Sequence, residues 1–252
     1  ELLYRFLSLW KELTVQVPMH FDFIKFSIFQ VVLTYSGLVF TLFVFKTKKK
    51  KYKFVFLGIV IALFSLVLQI NRTEKDQLKL TFFDCGLGDL ALIETPDNTT
   101  IMVDMGPTEK SSKYFTRSAL PYFQSNGISE LDYAVITHAH DDHYGGIFSV
   151  FDELKVNNIV VTDEFQTRKV WDKIAPYIKE DNCKIITIND TTHFDIDEVK
   201  CTFVHPDKEF NNANKNNVSV VFKLEYGDFS VLYTGDLEKE GEKYISEKYN
   251  LD

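Results

Sequence analysis

Residues 136–147 read Ile-Thr-His-Ala-His-Asp-Asp-His-Tyr-Gly-Gly-Ile, and His138 to His143 hold three of the chain's six histidines and two aspartates. Imidazole and carboxylate are the ligands that Zn²⁺, Mn²⁺ and Fe²⁺ accept. His138 and His140 lie two apart at the end of a strand-like run, so both can face the same side. Asp142 and His143 follow where the chain turns, and Gly145-Gly146 then permits close backbone approach before a helix begins. A divalent cation at such a strand-to-helix corner would bring the pKa of a coordinated water to about 7 and polarise a scissile bond. The bland alternative is an exposed polar turn with chance histidines. Half of the chain's histidines in six positions argue against it.

The elements that must position this cluster begin at Gln77, where short β-type runs take over. "QLKLTFFD" alternates, "CGLGD" turns, and "LALIETPDNTTIMVDMG" reads as strand, Pro-Asp-Asn turn and strand. "ELDYAVITH" is an apolar strand leading into the cluster, and "YGGIFSVFDEL" has helical spacing. "NNIVVTD" is a strand and "TRKVWDKIAPYIKE" an amphipathic helix. "CKIITI", "EVKCTFVHP" and "VSVVFKLEYGDFSVLYTGD" add strands, the last a hairpin around Tyr226-Gly227-Asp228, and "EKEGEKYISEKY" closes as a charged helix. Many strands with interspersed helices predict a sheet-rich α/β or α+β sandwich. "NNANKNN" (residues 211–217) reads as a loop. Cys85, Cys183 and Cys201 are too few and too irregular for a disulfide framework; they read as small buried hydrophobes, with a Cys183–Cys201 bridge left open.

The first seventy residues differ in kind. They hold 9 Lys/Arg against 3 Asp/Glu, whereas residues 71–252 hold 19 against 33, a net of −14. Residues 23–45 carry one charge, Lys25, and residues 54–70 carry none. A membrane-crossing helix needs about 20 apolar residues, with roughly 17 as the lower limit, so both runs qualify as spans. The loop between them, residues 46–53, has six lysines in eight positions and is expected to stay cytoplasmic. That hairpin would place residues 77–252 on the extracytoplasmic side of the cell membrane. Residues 1–22 read as an interfacial segment or the end of an upstream membrane domain. The chain begins with Glu rather than Met, so it is expected to be a piece of something longer or a processed product.

"HAHDDH" resembles the H-x-H-x-D-H signature of the metallo-β-lactamase superfamily. "LTFFDCGLGDLALIETPDNTTIMVDMG", "FVHPD", "NNVSVVFKLEYGDFSVLYTGDLE" and the preceding membrane hairpin resemble the ComEC-type competence proteins, over residues 20–252. The resemblance implies an αββα sandwich holding two divalent metals, zinc or manganese. His138 and His140 would hold the first metal, Asp142 and His143 the second, and Asp236 would bridge them. Asp104 would orient the histidines from behind, and Asp142 would also move a proton during catalysis. Asp84 and Asp89 match the family's D-V-G-Q-G-D stretch, with Cys85 and Leu87 as departures. The superfamily's next histidine is replaced by "ANKNNVS", where Asn216 or Asn217 could stand in as a weak ligand. A last histidine would lie past Asp252, so the sandwich and its site are expected to be cut short at the C-terminal end.

By resemblance the function is that of a membrane-tethered, metal-dependent nuclease acting on incoming DNA beside the channel domain of the same protein. The alternative is a catalytically degenerate structural or DNA-guiding domain, motivated by the missing histidine. The net of −14 opposes DNA binding unless local lysines or the metals offset it. Hydrolysis of a small molecule such as a lactam fits the motifs less well.

Overall fold

A computed structural model describes residues 77–108, 114–196, 198–210 and 212–249, with six helical positions between residues 36 and 60. In chain order the elements are β1 (Lys79–Phe82), β2 (Ala91–Glu94), β3 (Thr100–Val103), α1 (Leu120–Asn126), β4 (Glu130–Val135), α2 (Asp141–Tyr144), α3 (Ile147–Glu153) and β5 (Lys155–Thr162). Then follow α4 (Asp163–Gln166), α5 (Trp171–Glu180), β6 (Lys184–Ile188), β7 (Thr192–Ile196), β8 (Val199–His205), β9 (Val221–Tyr226), β10 (Phe229–Tyr233) and α6 (Lys239–Lys248).

The strands form two sheets. One has the order β1-β2-β3-β4-β5-β6, antiparallel from β1 to β3 and parallel from β3 to β6; the other is antiparallel in the order β10-β9-β8-β7. Side chains alternate between strand faces, and the first sheet uses both. Leu92, Met102, Ala134 and Ile159 pack against Phe123 of α1, Ile147 and Val150 of α3 and Ile174 of α5. Ile93, Ile101, Val103, Val135 and Val160 pack against Cys201, Phe203, Phe222 and Leu224 of the second sheet. Covering on both faces is what parallel strands require. The outer face of the second sheet, through Val204 and Val221, meets Ile245 of α6 and Leu237 just before it. The result is four layers, helices–sheet–sheet–helix, the αββα arrangement expected. Phe115, Phe123, Phe165 and Phe222 are fully buried, and truncating any one to Ala would cost about 3–5 kcal/mol.

Several local features differ from the sequence expectation. Residues 114–126 carry no clean periodicity, and Pro121 falls among them, yet they form a π-helical turn over Phe115–Ala119 that runs into α1. Pro121 sits at the junction of the two, in the first turn of α1. β7 is a short, half-exposed edge strand whose sequence, Thr-His-Phe-Asp-Ile, is too polar to announce itself. All three cysteines are free, so Cys183 and Cys201 are not bridged. The expected spans at 23–45 and 54–70 and the interfacial segment at 1–22 lie almost wholly outside the described residues. Among the described residues no helix is long and apolar enough to cross a membrane.

Candidate metal centre

The site forms at the carboxyl end of β4, where open sheets with parallel strands characteristically present their functional loops. Past Val135 the chain stays tied to its neighbours: Asp104 N donates to Val135 O (2.9 Å) and Val220 N to Thr137 O (2.8 Å). The second bond stitches the two sheets together at the position before His138. His140 is still extended (φ −105°, ψ 143°), and α2 starts immediately after it. Gly145 and Gly146 let α2 press on the loop after β3. A Cβ at Gly145 would meet Thr108 N at 2.1 Å, and one at Gly146 would meet Met105 O at 2.1 Å. Asp141 points away from the cluster and bonds the Thr108 hydroxyl at 2.5 Å. Two further backbone bonds close the frame, Met105 N to His143 O (2.6 Å) and Gly106 N to Asp89 O (2.9 Å).

Asp104 is fully buried in the left-handed region (φ 53°). Its Oδ1 accepts from Thr137 N (2.8 Å), and its Oδ2 accepts from the Thr137 hydroxyl (2.7 Å) and from His143 Nδ1 (2.8 Å). Burial pushes its carboxyl above the ordinary carboxylate range, against the pull of His143 and Thr137. This network assigns both imidazole tautomers. His143 donates from Nδ1, leaving Nε2 to face the site. The Thr137 hydroxyl gives its proton to Asp104 and so accepts from His138 Nδ1, 3.1 Å away, which leaves His138 Nε2 as a lone pair. One carboxylate therefore prepares two histidines, one directly and one through a threonine.

The prepared nitrogens face His140 and the carboxylates. His143 Nε2 is buried without a hydrogen-bond partner, 3.2 Å from Asp236 Oδ1 and 4.0 Å from Asp142 Oδ2. His138 Nε2 lies 2.9 Å from His140 Nδ1 and 3.9 Å from Asp236 Oδ2. Burial, helped by the neighbouring His143, His140 and Lys215 charges, drops the His138 pKa to about 3, so it stays neutral and able to ligate. Burial works against the His143 cation too, but the Asp104 hydrogen bond and the Asp104, Asp236 and Asp142 charges raise its pKa to about 9.

Two three-residue groups have ligand atoms within 4.8 Å of one another: His138, His140 and Asp236, and Asp89, His143 and Asp236. An orphaned imidazole nitrogen, a neutral histidine and carboxylates from separate loops fit a divalent cation by donor chemistry. Asp236 is common to both groups. Asp89 enters through the glycine turn after β1, where Gly88 (φ +97°) comes so near α2 that a Cβ would sit 1.9 Å from Asp142 O. Asp142 lies outside both groups, its side chain 42% exposed. Asp84 is exposed and accepts from Gly86 N (3.1 Å), which shapes the turn. Asn217 is buried, and its Oδ1 accepts from Glu238 N (3.0 Å) and Gly241 N (3.3 Å) at the start of α6, so the expected weak ligand is engaged as a helix cap. The Asn216 amide donates to Glu238 Oε1 (2.7 Å).

A profile of the metallo-beta-lactamase superfamily matches residues 84–250. The chain belongs to that superfamily. Membership brings its coarse chemistry, metal-dependent hydrolysis. The domain is 27% identical over 179 residues to ComE operon protein 3 of Bacillus subtilis, covering 66% of this chain and 23% of that protein. It is 27% identical over 143 residues to a UPF0173 metal-dependent hydrolase of Salinibacter ruber, covering 52% of this chain and 59% of that one. It thus spans less than two thirds of either relative. Among solved structures it is similar to the metallo-beta-lactamase fold protein YhfI of Bacillus subtilis (TM-score 0.41, 19% identity, 63% of this chain and 62% of that chain).

Proposed function

We propose that this metallo-β-lactamase domain is a nuclease, hydrolysing phosphodiester bonds of DNA during competence-type uptake. The observation that carries the reading is Asp236 shared between His138/His140 and Asp89/His143, an arrangement suited to two adjacent divalent ions. Zinc or manganese there would supply Lewis acidity toward a phosphoryl oxygen and lower the pKa of water. Around it this chain's residues divide the work. His138, His140 and Asp236 would hold one ion, and Asp89, His143 and Asp236 the other. Asp104 fixes the ring orientations, and the half-exposed Asp142 takes up or delivers a proton at its carboxylate. The likeness to ComE operon protein 3 supports DNA as the substrate. The apolar runs at 23–45 and 54–70 support a tether in the cell membrane, with the lysine loop cytoplasmic, the domain outside, and a channel domain of the same protein as neighbour.

The deciding experiment incubates the full chain, stripped by chelator and then reloaded with Mn²⁺ or Zn²⁺, with single- and double-stranded DNA. Cleavage that returns with metal and vanishes in His140→Ala supports the nuclease. A protein that loads metal and leaves DNA intact under every condition overturns it. The second reading, a non-catalytic DNA-guiding domain, is favoured by one observation: Asn217, near the place of the missing histidine, caps α6. DNA uptake undiminished in a His140→Ala strain would select it.

A further inference from the structure

The asparagine-rich stretch at 212–217 carries one cation, Lys215, and the loop is built to hold it still. Asn212 Oδ1 accepts from Asn214 N (2.8 Å), and Asn214 Oδ1 accepts from Asn216 N (3.1 Å), two successive side-chain turns. The residues flanking the lysine then grip one carboxylate. Asn214 Nδ2 donates to Glu238 Oε2 (2.8 Å) and Asn216 Nδ2 to Glu238 Oε1 (2.7 Å). Glu238 lies two residues past Asp236, so the bracket ties Lys215 to the segment that supplies the shared carboxylate of the metal centre. Lys215 itself is half-buried, and among the described residues no hydrogen bond or ion pair engages its ammonium. Its charge acts on His138. An acidic neighbour would be the ordinary way to neutralise a half-buried lysine. Here the carboxylate that its two flanking asparagines hold, on Glu238, is instead taken up by neutral amides.

An unpaired cation beside a cluster of carboxylates makes sense when the missing partner is an anion that arrives from solution. We infer that Lys215 is a phosphate-binding residue, which receives a non-bridging oxygen of a phosphodiester strand and holds it against the Asp236 centre. The inference rests on the nuclease reading and deepens it, by naming the group that offsets the domain's negative charge for a polyanionic substrate. Asn214 and Asn216 act through Lys215 as positioning residues.

The test compares wild type, Lys215→Met and Lys215→Arg in the full chain, loaded with Mn²⁺. A fluorescein-labelled oligothymidylate serves for binding and for cleavage, and metal content is measured by elemental analysis. Lys215→Met is expected to keep its metal and a kcat within about twofold, while KM and Kd rise about tenfold, the value of one charge-assisted bond. The slope of log Kd against log salt should become shallower by about 0.7, one phosphate contact on a single strand. Lys215→Arg should recover both. Lys215→Met with wild-type KM and salt slope overturns the inference while leaving the nuclease reading intact, and so does a variant that loses its metal, which would make the role structural. A wild-type protein that neither binds nor cleaves the oligonucleotide overturns both.

Discussion

Asp104 Oδ2 lies 2.8 Å from His143 Nδ1, both side chains buried, although 39 residues separate them in the chain. Its hydrogen-bond partners, Thr137 N, the Thr137 hydroxyl and His143 Nδ1, are all donors, which is how one aspartate sets the orientation of His143 directly and of His138 through Thr137.

Asp104→Asn should therefore be damaging without unfolding the domain. Asn tolerates the left-handed backbone, but its amide would face donors from Thr137 and His143. Metal affinity is expected to fall about 10- to 100-fold, as for supporting partners of ligating histidines. Competition titration with a chromophoric chelator measures it, and wild-type affinity would remove Asp104 from the site's frame.

Gly88→Ala adds a methyl group where Asp142 O stands 1.9 Å away, at a residue with φ +97°. The turn must lift off α2 and take Asp89 with it. The variant should lose half of its bound metal while keeping a near-wild-type circular dichroism spectrum. Full occupancy would show that Asp89 does not ligate.

Asn217→Ala removes the cap that serves Glu238 N and Gly241 N. It should lower stability by about 1 kcal/mol, the usual cost of losing such a bond, in chemical denaturation. Metal stoichiometry should not change. A lost ion would return Asn217 to the list of ligands.

Asp207 predicts the acid side of the stability profile. Burial acts to raise its carboxyl, but bonds from Lys248 Nζ, Glu209 N and the Tyr249 hydroxyl bring the pKa down to about 2. A folded-state pKa below the ordinary 3.8 means that its contribution is present above about pH 4 and disappears as pH falls toward 2. These bonds tie the chain after β8 to α6 and the residue that follows it. Wild type should lose melting temperature across that window, and Asp207→Asn should start lower with a flatter profile. Equal slopes for the two proteins would count against the linkage.

Much of the frame was legible beforehand. The apolar runs at 91–103, 130–135 and 221–233, bounded by turn residues, became β2, β3, β4 and the β9–β10 hairpin, because strand composition and turn chemistry are properties of neighbouring residues. Ile174 and Ile178, four apart, announced the buried face of α5. By contrast, the helix at 115–126 and the edge strand β7 had no such signal. Phe115, Ala119 and Phe123 are helical because they fill the space over the first sheet, and β7 forms because β8 offers it a hydrogen-bonding edge.

The cluster's composition, its two-residue histidine spacing and the glycines that follow were determined by the sequence alone, since ligand type and local reach need nothing distant. Only the tertiary structure decided that Asp89 rather than Asp142 lies within the tight group around His143, and that Asn217 caps a helix. Those relations depend on loops from β1, β3, β4 and β10 meeting at one end of two stacked sheets. Nothing within the reach of a few residues encodes which carboxylate a long-range pairing will bring to a histidine.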